Sequence, residues 1–116
     1  MSTIEIDQLS ARLGAVTVVD VRDPGEYDGS LGHSCDPRQG HLPGAINLPV
    51  GDLVGLSESE IRSLLGVSSG AELVVYCHSG SRSSIAAQVL RSQGFNAINY
   101  VGSWHEWSRT ELPLEL

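Results

Sequence analysis

The stretch LVVYCHSGSRSSIAAQVLRSQG, residues 73–94, decides the fold prediction. Its first four residues are β-branched, aromatic or aliphatic, which is typical of a strand covered on both faces of a sheet. From Ser83 onward apolar residues recur at helical spacing, so that Ile85 with Val89 and Ala86 with Leu90 are predicted to fall on one face, and the final glycine ends the pattern. Cys77 is therefore predicted to lie between a buried strand and the N-terminus of a helix.

A cysteine in this position is expected to carry a reactive thiol. A loop that curls into a helix N-terminus points backbone N–H groups and the positive end of the helix dipole at its centre, and this favours an anion. We expect the pKa of Cys77 to lie below the free thiol value of about 8.5. Gly80 allows a turn that a Cβ would obstruct, and the permanent charge of Arg82 can brace loop carbonyls or meet an oxyanion of a substrate.

The sequence CHSGSR, residues 77–82, resembles the active-site loop of the single-domain rhodanese-like sulfurtransferases, which carry sulfur as a cysteine persulfide. Upstream, VVDVRDPGEY and the segment GHLPGAINLP at residues 40–49 resemble two further signatures of that family in the expected order, and GSW at residues 102–104 resembles its closing segment. Three ordered motifs are far more specific than one. The resemblance covers residues 2–107.

The fold class expected from the resemblance is α/β and rhodanese-like, with a mainly parallel central sheet of about five strands and helices on both faces. The alternation of strand and helix patterns along the chain predicts the same class. The first strand is predicted at Ile4 and Ile6. We expect residues 1–116 to form a single domain, with residues 28–39 as an inserted surface loop.

The resemblance implies a role for each residue of the loop and for three residues outside it. Cys77 would be the catalytic nucleophile. The donor would be held by the rest of the loop, namely His78, Ser79, Gly80, Ser81 and Arg82. Three residues are expected to support the site: Asp20 through hydrogen bonds to the loop or to neighbouring groups, Arg22 through an ion pair, and His41 as a buried turn residue. A strand-end turn is the alternative interpretation of Asp20.

The function implied is transfer of sulfane sulfur through a Cys77 persulfide. The thiolate attacks the outer sulfur of a small anionic donor such as thiosulfate, and a thiophilic acceptor, cyanide or a thiol, then removes the sulfur. Neither a cofactor nor a metal is expected. One alternative is a sulfur carrier or binding module that acts with a partner enzyme in a sulfur relay. A cysteine-dependent phosphatase or arsenate reductase is less favoured, because such loops have one more residue between cysteine and arginine.

Composition limits the partners. The 116 residues carry a formal net charge of −7, with 7 Lys and Arg against 14 Asp and Glu, which argues against nucleic-acid binding and an anionic membrane surface. No apolar run is long enough to span a bilayer, and the start MSTIEIDQLS lacks the features of a secretory signal. The expected location is cytoplasmic, with both cysteines reduced.

The segment DGSLGHSCDPRQ, residues 28–39, departs from the family pattern and is predicted to be a surface loop. It carries His33 and Cys35, with His41 shortly after, and these three residues raise a zinc hypothesis. Their spacing matches no common zinc motif, so we expect an exposed loop whose His and Cys have no partner. A relay of sulfur to Cys35, or a disulfide between Cys35 and Cys77, is the alternative to a passive loop cysteine.

Overall fold

The computed structural model describes residues 2–116 and has an α/β fold. The elements in chain order are α1 (Ile6–Arg12), β1 (Thr17–Asp20), α2 (Pro24–Tyr27), β2 (Ile46–Asn47), α3 (Val50–Leu53), α4 (Glu58–Leu65), β3 (Glu72–Tyr76), α5 (Ser81–Ser92), β4 (Asn96–Asn99) and α6 (Ser103–Trp107). The four strands found in this part of the chain are all parallel and are ordered β2-β1-β3-β4 across the sheet.

The sheet has four strands where about five were expected, and the prediction at the N-terminus is wrong. Thr3 forms only an isolated parallel bridge with Asn99, and Ile6 is already the first residue of α1. Glu5 and Gln8 form a reciprocal capping box at the start of this helix. Because the capping box satisfies backbone N–H groups locally, helix formation begins before a strand can extend.

Helices cover both faces of the sheet, as predicted. Alternate residues of a strand point to opposite faces. Val19 and Val75 therefore contact one core, to which α3, α4 and α5 contribute Leu53, Ile61, Leu65, Ala86, Ala87 and Leu90. Val18 and Val74 contact the other core, to which α1 and α6 contribute Leu9, Trp104 and Trp107. None of the helices within residues 2–116 is long and apolar enough to cross a membrane.

Helix α5 turns most of the predicted face to the sheet. Its buried residues are Ser83, Ala86, Ala87 and Leu90, at the spacing of one helical face, which confirms the predicted pair Ala86 and Leu90. Val89 is partly buried against the core, but Ile85 is 53% exposed, so its place on this face is wrong.

A buried polar network joins the carboxyl ends of β1 and β3. Asp20 accepts hydrogen bonds from Arg22 at 2.7–3.1 Å and, through Oδ2, from the Tyr76 hydroxyl at 2.7 Å. Arg22 also donates to the Gly40 carbonyl at 2.7 Å, and the Tyr76 oxygen accepts from the Leu42 amide at 3.1 Å. Burial of both partners makes each of these bonds costly to lose.

Tyr76→Phe is expected to lower the free energy of unfolding by about 1–3 kcal/mol, because Asp20 and the Leu42 amide each lose a buried partner. The measurement is urea unfolding followed by circular dichroism. Tyr100→Phe is the matched control, since it removes the same atom from a hydroxyl whose partner, Glu106, is exposed. Equal losses in the two variants would contradict the importance of the buried network.

Candidate active site

Residues 77–80 connect β3 to α5, and the loop wraps around the side chain of Cys77. Gly80 has φ +101°, and a Cβ placed there would lie 2.8 Å from the Val101 carbonyl oxygen. Both the left-handed backbone and the close approach require glycine. The sequence prediction for Gly80 is therefore confirmed by the geometry of the turn.

The Cys77 side chain is fully buried beneath this loop and lies next to neutral polar groups. The Gly80 amide donates to Sγ at 3.0 Å, while the hydroxyls of Ser83 and Ser103 lie 3.4 Å and 3.9 Å from Sγ. Burial raises the pKa of the thiol, but the Ser83 hydroxyl and the backbone amides of Ser83, Gly80 and Ser79 outweigh it. The net result is a Cys77 pKa below the ordinary thiol value.

The start of α6 clamps the backbone of Cys77. The Ser103 hydroxyl accepts from the Cys77 amide at 3.1 Å and donates to the Tyr100 carbonyl at 2.9 Å, and the Trp104 amide donates to the Cys77 carbonyl at 3.0 Å. Ser103 has φ +55°, an uncommon value for a residue with a side chain. These bonds hold the strained backbone in place beside the thiol.

Arg82 is held by a carboxylate, a partner that was not predicted beside its expected roles of bracing loop carbonyls or meeting a substrate oxyanion. Its two terminal nitrogens donate to Oε1 and Oε2 of Glu26 at 2.7 Å and 3.0 Å, which joins α5 to α2. Burial raises the pKa of Glu26, but hydrogen bonds from Arg82, the Asp23 amide and His33 lower it to about 2. The negative charge of Cys77 contributes to raising the pKa of Arg82, so the two groups interact electrostatically.

The remaining loop residues lie at its rim. Ser79 and Ser81 are exposed, and the His78 side chain is 15% exposed. The His78 ring stacks on the ring of His33, with centroids 3.8 Å apart. The loop therefore combines a buried nucleophile with a polar outer edge.

The three residues predicted to support the site are buried and have polar or aromatic partners. Asp20 and Arg22 form the ion pair of the buried network described above. The ring of His41 stacks on Tyr27 at a centroid distance of 3.7 Å, and its Nδ1 is 2.8 Å from the Tyr27 carbonyl oxygen. This histidine is a buried turn residue, in agreement with the sequence interpretation.

Residues 28–39 are tied to the C-terminal part of the chain. Arg38 donates to the carbonyls of Trp107, Ser108 and Leu112 at 2.8–3.3 Å. The expectation that His33 has no partner is wrong, because its Nε2 also lies 3.0 Å from Glu26. Cys35 and Cys77 are both free thiols, the first exposed and the second buried.

Three residues of the site were missed from the sequence: Glu26, Ser83 and Ser103. Ser83 follows Cys77 by six residues and falls in the first turn of the predicted helix, so a helical projection would have placed its hydroxyl near the thiol. Glu26 contacts Arg82, which is 56 residues away in the chain, and Ser103 contacts Cys77, which is 26 residues away. No local pattern identifies such partners.

Two comparisons with solved structures match this fold over nearly the whole chain. A crystal structure of a probable thiosulfate sulfurtransferase has a TM-score of 0.84 and 41% identity, and the match covers 98% of this chain and 47% of that one. The human single-domain sulfurtransferase TSTD1 has a TM-score of 0.73 and 29% identity, with 96% of this chain and 98% of that one covered.

Among curated proteins, the sulfur carrier protein TtuD of Thermus thermophilus is 38% identical over 115 residues, which covers 85% of this chain and 40% of TtuD. The chain spans about two fifths of the length of the first curated relatives it matches, covering 40% of one and 37% of the others. The family described as "Rhodanese-like domain" matches residues 5–110. The chain belongs to the rhodanese-like domain family.

Proposed function

We propose that this chain is a sulfurtransferase that carries sulfane sulfur as a persulfide of Cys77. The observation that carries the proposal is the buried Cys77 thiol, which accepts from the Gly80 amide and lies beside the Ser83 hydroxyl at the N-terminus of α5. Such surroundings stabilise a thiolate near neutral pH. The printed names of the relatives, thiosulfate sulfurtransferase and sulfur carrier protein, support the same chemistry.

The reaction consists of two displacements at sulfur. The Cys77 thiolate attacks the outer sulfur of thiosulfate, the S–S bond of the donor breaks, and sulfite leaves with the bonding electron pair. In the second step cyanide or an acceptor thiolate attacks the outer sulfur of the persulfide, and the Cys77 thiolate leaves. The backbone N–H groups of the loop stabilise the negative charge in both steps. No external oxidant or reductant is needed.

Arg82 contributes from a fixed position in this proposal. Its bidentate contact with Glu26 orients the guanidinium, whose remaining N–H groups attract the anionic donor. A cavity of about 280 Å³ borders Glu26 and is lined by Asp23, Gly25, Glu26, Leu31, Gly32 and His33. We infer that the donor approaches the loop from this side.

A carrier function is the second candidate, because TtuD is named a sulfur carrier protein. The same Cys77 persulfide would then be delivered to a partner protein in a sulfur relay. The two functions differ in turnover. A carrier loads sulfur from a donor without rapid release to cyanide, whereas a sulfurtransferase completes both steps with small molecules.

Cys77→Ser is expected to abolish sulfur uptake from thiosulfate and thiosulfate:cyanide turnover, because a hydroxyl is hardly ionised at neutral pH. Intact mass spectrometry with and without a reductant measures reversible addition of one sulfur atom. The matched control is Cys35→Ser, which removes the other thiol and should keep full loading and turnover. Turnover in Cys77→Ser near that of the parent chain would contradict the proposal.

Ser83→Ala is expected to raise the pKa of Cys77, because the thiolate loses a hydrogen bond. Ionisation of the thiol would then need a higher pH, and persulfide formation near pH 7 would slow. The measurement is thiolate absorbance against pH in the Cys35→Ser background. Ser84→Ala, the neighbouring half-buried serine, is the control and should leave the midpoint unchanged. An unchanged midpoint in Ser83→Ala would rule out its hydroxyl as a donor to the thiolate.

Arg82→Lys is expected to lower kcat/KM for thiosulfate by roughly 10- to 100-fold, because lysine cannot reproduce the bidentate contact that positions the charge. Steady-state kinetics at neutral pH measure the effect. Arg91→Lys alters an arginine in the last turn of the same helix and should behave like the parent chain. Equal kinetics in both variants would show that Arg82 neither positions the donor nor shapes the loop.

A further inference from the structure

Three unlike side chains that can bind a metal meet where residues 28–39 contact the active-site loop. The Cys35 sulfur, a carboxylate oxygen of Asp36 and an imidazole nitrogen of His78 all lie within 4.8 Å of one another. Cys35 and Asp36 belong to the inserted segment, whereas His78 directly follows Cys77. We propose that these three residues form a binding site for Zn²⁺.

Two buried polar atoms meet at this place without a hydrogen bond of good geometry. Oδ2 of Asp36 and Nε2 of His78 are 2.9 Å apart, close enough for an ion pair, and the Asp36 side chain is 0% exposed. Within residues 2–116 neither atom makes a hydrogen bond. A buried polar atom without a hydrogen bond lowers the stability of the fold. A cation bound by both atoms would satisfy them together.

Neighbouring groups hold the ligands in the orientation that a metal needs. Arg109 donates to Oδ1 of Asp36 at 3.0 Å, which leaves Oδ2 directed at His78. The same arginine donates to the Cys35 carbonyl at 2.9 Å. The His78 ring is fixed by stacking on His33. Outer groups of this kind commonly orient metal ligands in proteins.

The chemistry of the three donors favours zinc. Thiolate and imidazole are ligands of zinc and poor ligands of Mg²⁺ or Ca²⁺, which prefer oxygen. Zinc bonds of about 2.0–2.3 Å place tetrahedral ligand atoms roughly 3.5 Å apart, so binding requires a small rotation of the exposed Cys35 side chain. The Cys35 thiol loses its proton to solvent when the metal binds. The fourth position remains for water or an external ligand.

This site differs from the one suggested by sequence spacing. His41 stacks on Tyr27 and does not belong to the cluster, and His33 contacts Glu26. The third ligand, His78, is separated from Cys35 by more than a third of the chain. Only the fold brings it to the inserted segment.

The test uses the full chain carrying Cys77→Ser, in which Cys35 is the one remaining cysteine. Because this variant lacks the proposed nucleophile, the result does not depend on sulfur transfer. Titration with Co²⁺ should give a thiolate-to-cobalt charge-transfer band in the near ultraviolet and the visible bands of a four-coordinate ion. One equivalent of Zn²⁺ should remove both. Failure of saturating Co²⁺ to produce the charge-transfer band would overturn the proposal.

Variants in the same background identify the ligands. Adding Cys35→Ser should eliminate the charge-transfer band, and the exposure of this residue makes the change tolerable for the fold. Asp36→Asn and His78→Gln should weaken Zn²⁺ binding by more than the roughly 10- to 100-fold typical of an outer-shell change. Ser34→Ala, an exposed neighbour, is the matched control and should bind as the parent does. An unchanged band after Cys35→Ser, or unchanged affinity in the other two ligand variants, would refute the assigned site.

Discussion

The buried ion pair of Asp20 and Arg22 is the constraint on which the rest of the structure depends. Removing two charges from water is costly unless hydrogen bonds compensate for the lost hydration. Here the Tyr76 hydroxyl and the Gly40 carbonyl complete the network around the pair. Its members come from two neighbouring strands and from the turn that leads into β2. The network therefore fixes the carboxyl edge of the sheet, which is the edge that delivers the nucleophile.

The position of Cys77 is fixed by this network, because it directly follows Tyr76. Its amide and carbonyl are both bound by the start of α6, through Ser103 and Trp104. The loop then turns at Gly80, where contact with Val101 leaves no room for a Cβ. A site with these fixed points does not have to reorganise when charge develops on sulfur, which is the condition for effective electrostatic stabilisation.

The sequence predicted the parts of the fold that depend on local pattern. The buried strand before Cys77 and the helix after it are encoded in contiguous residues. The prediction of a fifth strand was wrong, because pairing near the N-terminus depends on the tertiary neighbours of Thr3, which forms only a single bridge. The partner of Arg82 was not predicted for the same reason, since Glu26 lies 56 residues away in the chain. Both features are decided by tertiary structure.

The balance of forces on the thiol suits a residue that plays two roles in the proposed reaction. Cys77 is the nucleophile in the first displacement and the leaving group in the second. A lower pKa increases the thiolate fraction and improves the leaving group, but it reduces intrinsic nucleophilicity, so the best attacking thiol has a pKa near the ambient pH. Burial raises the pKa of Cys77 while neutral donors such as Ser83 and Gly80 lower it. Arg82 is engaged by Glu26, so it does not lower the pKa further through a direct ion pair with sulfur. The opposing effects of burial and of neutral donors therefore act on a thiol that must serve both as nucleophile and as leaving group.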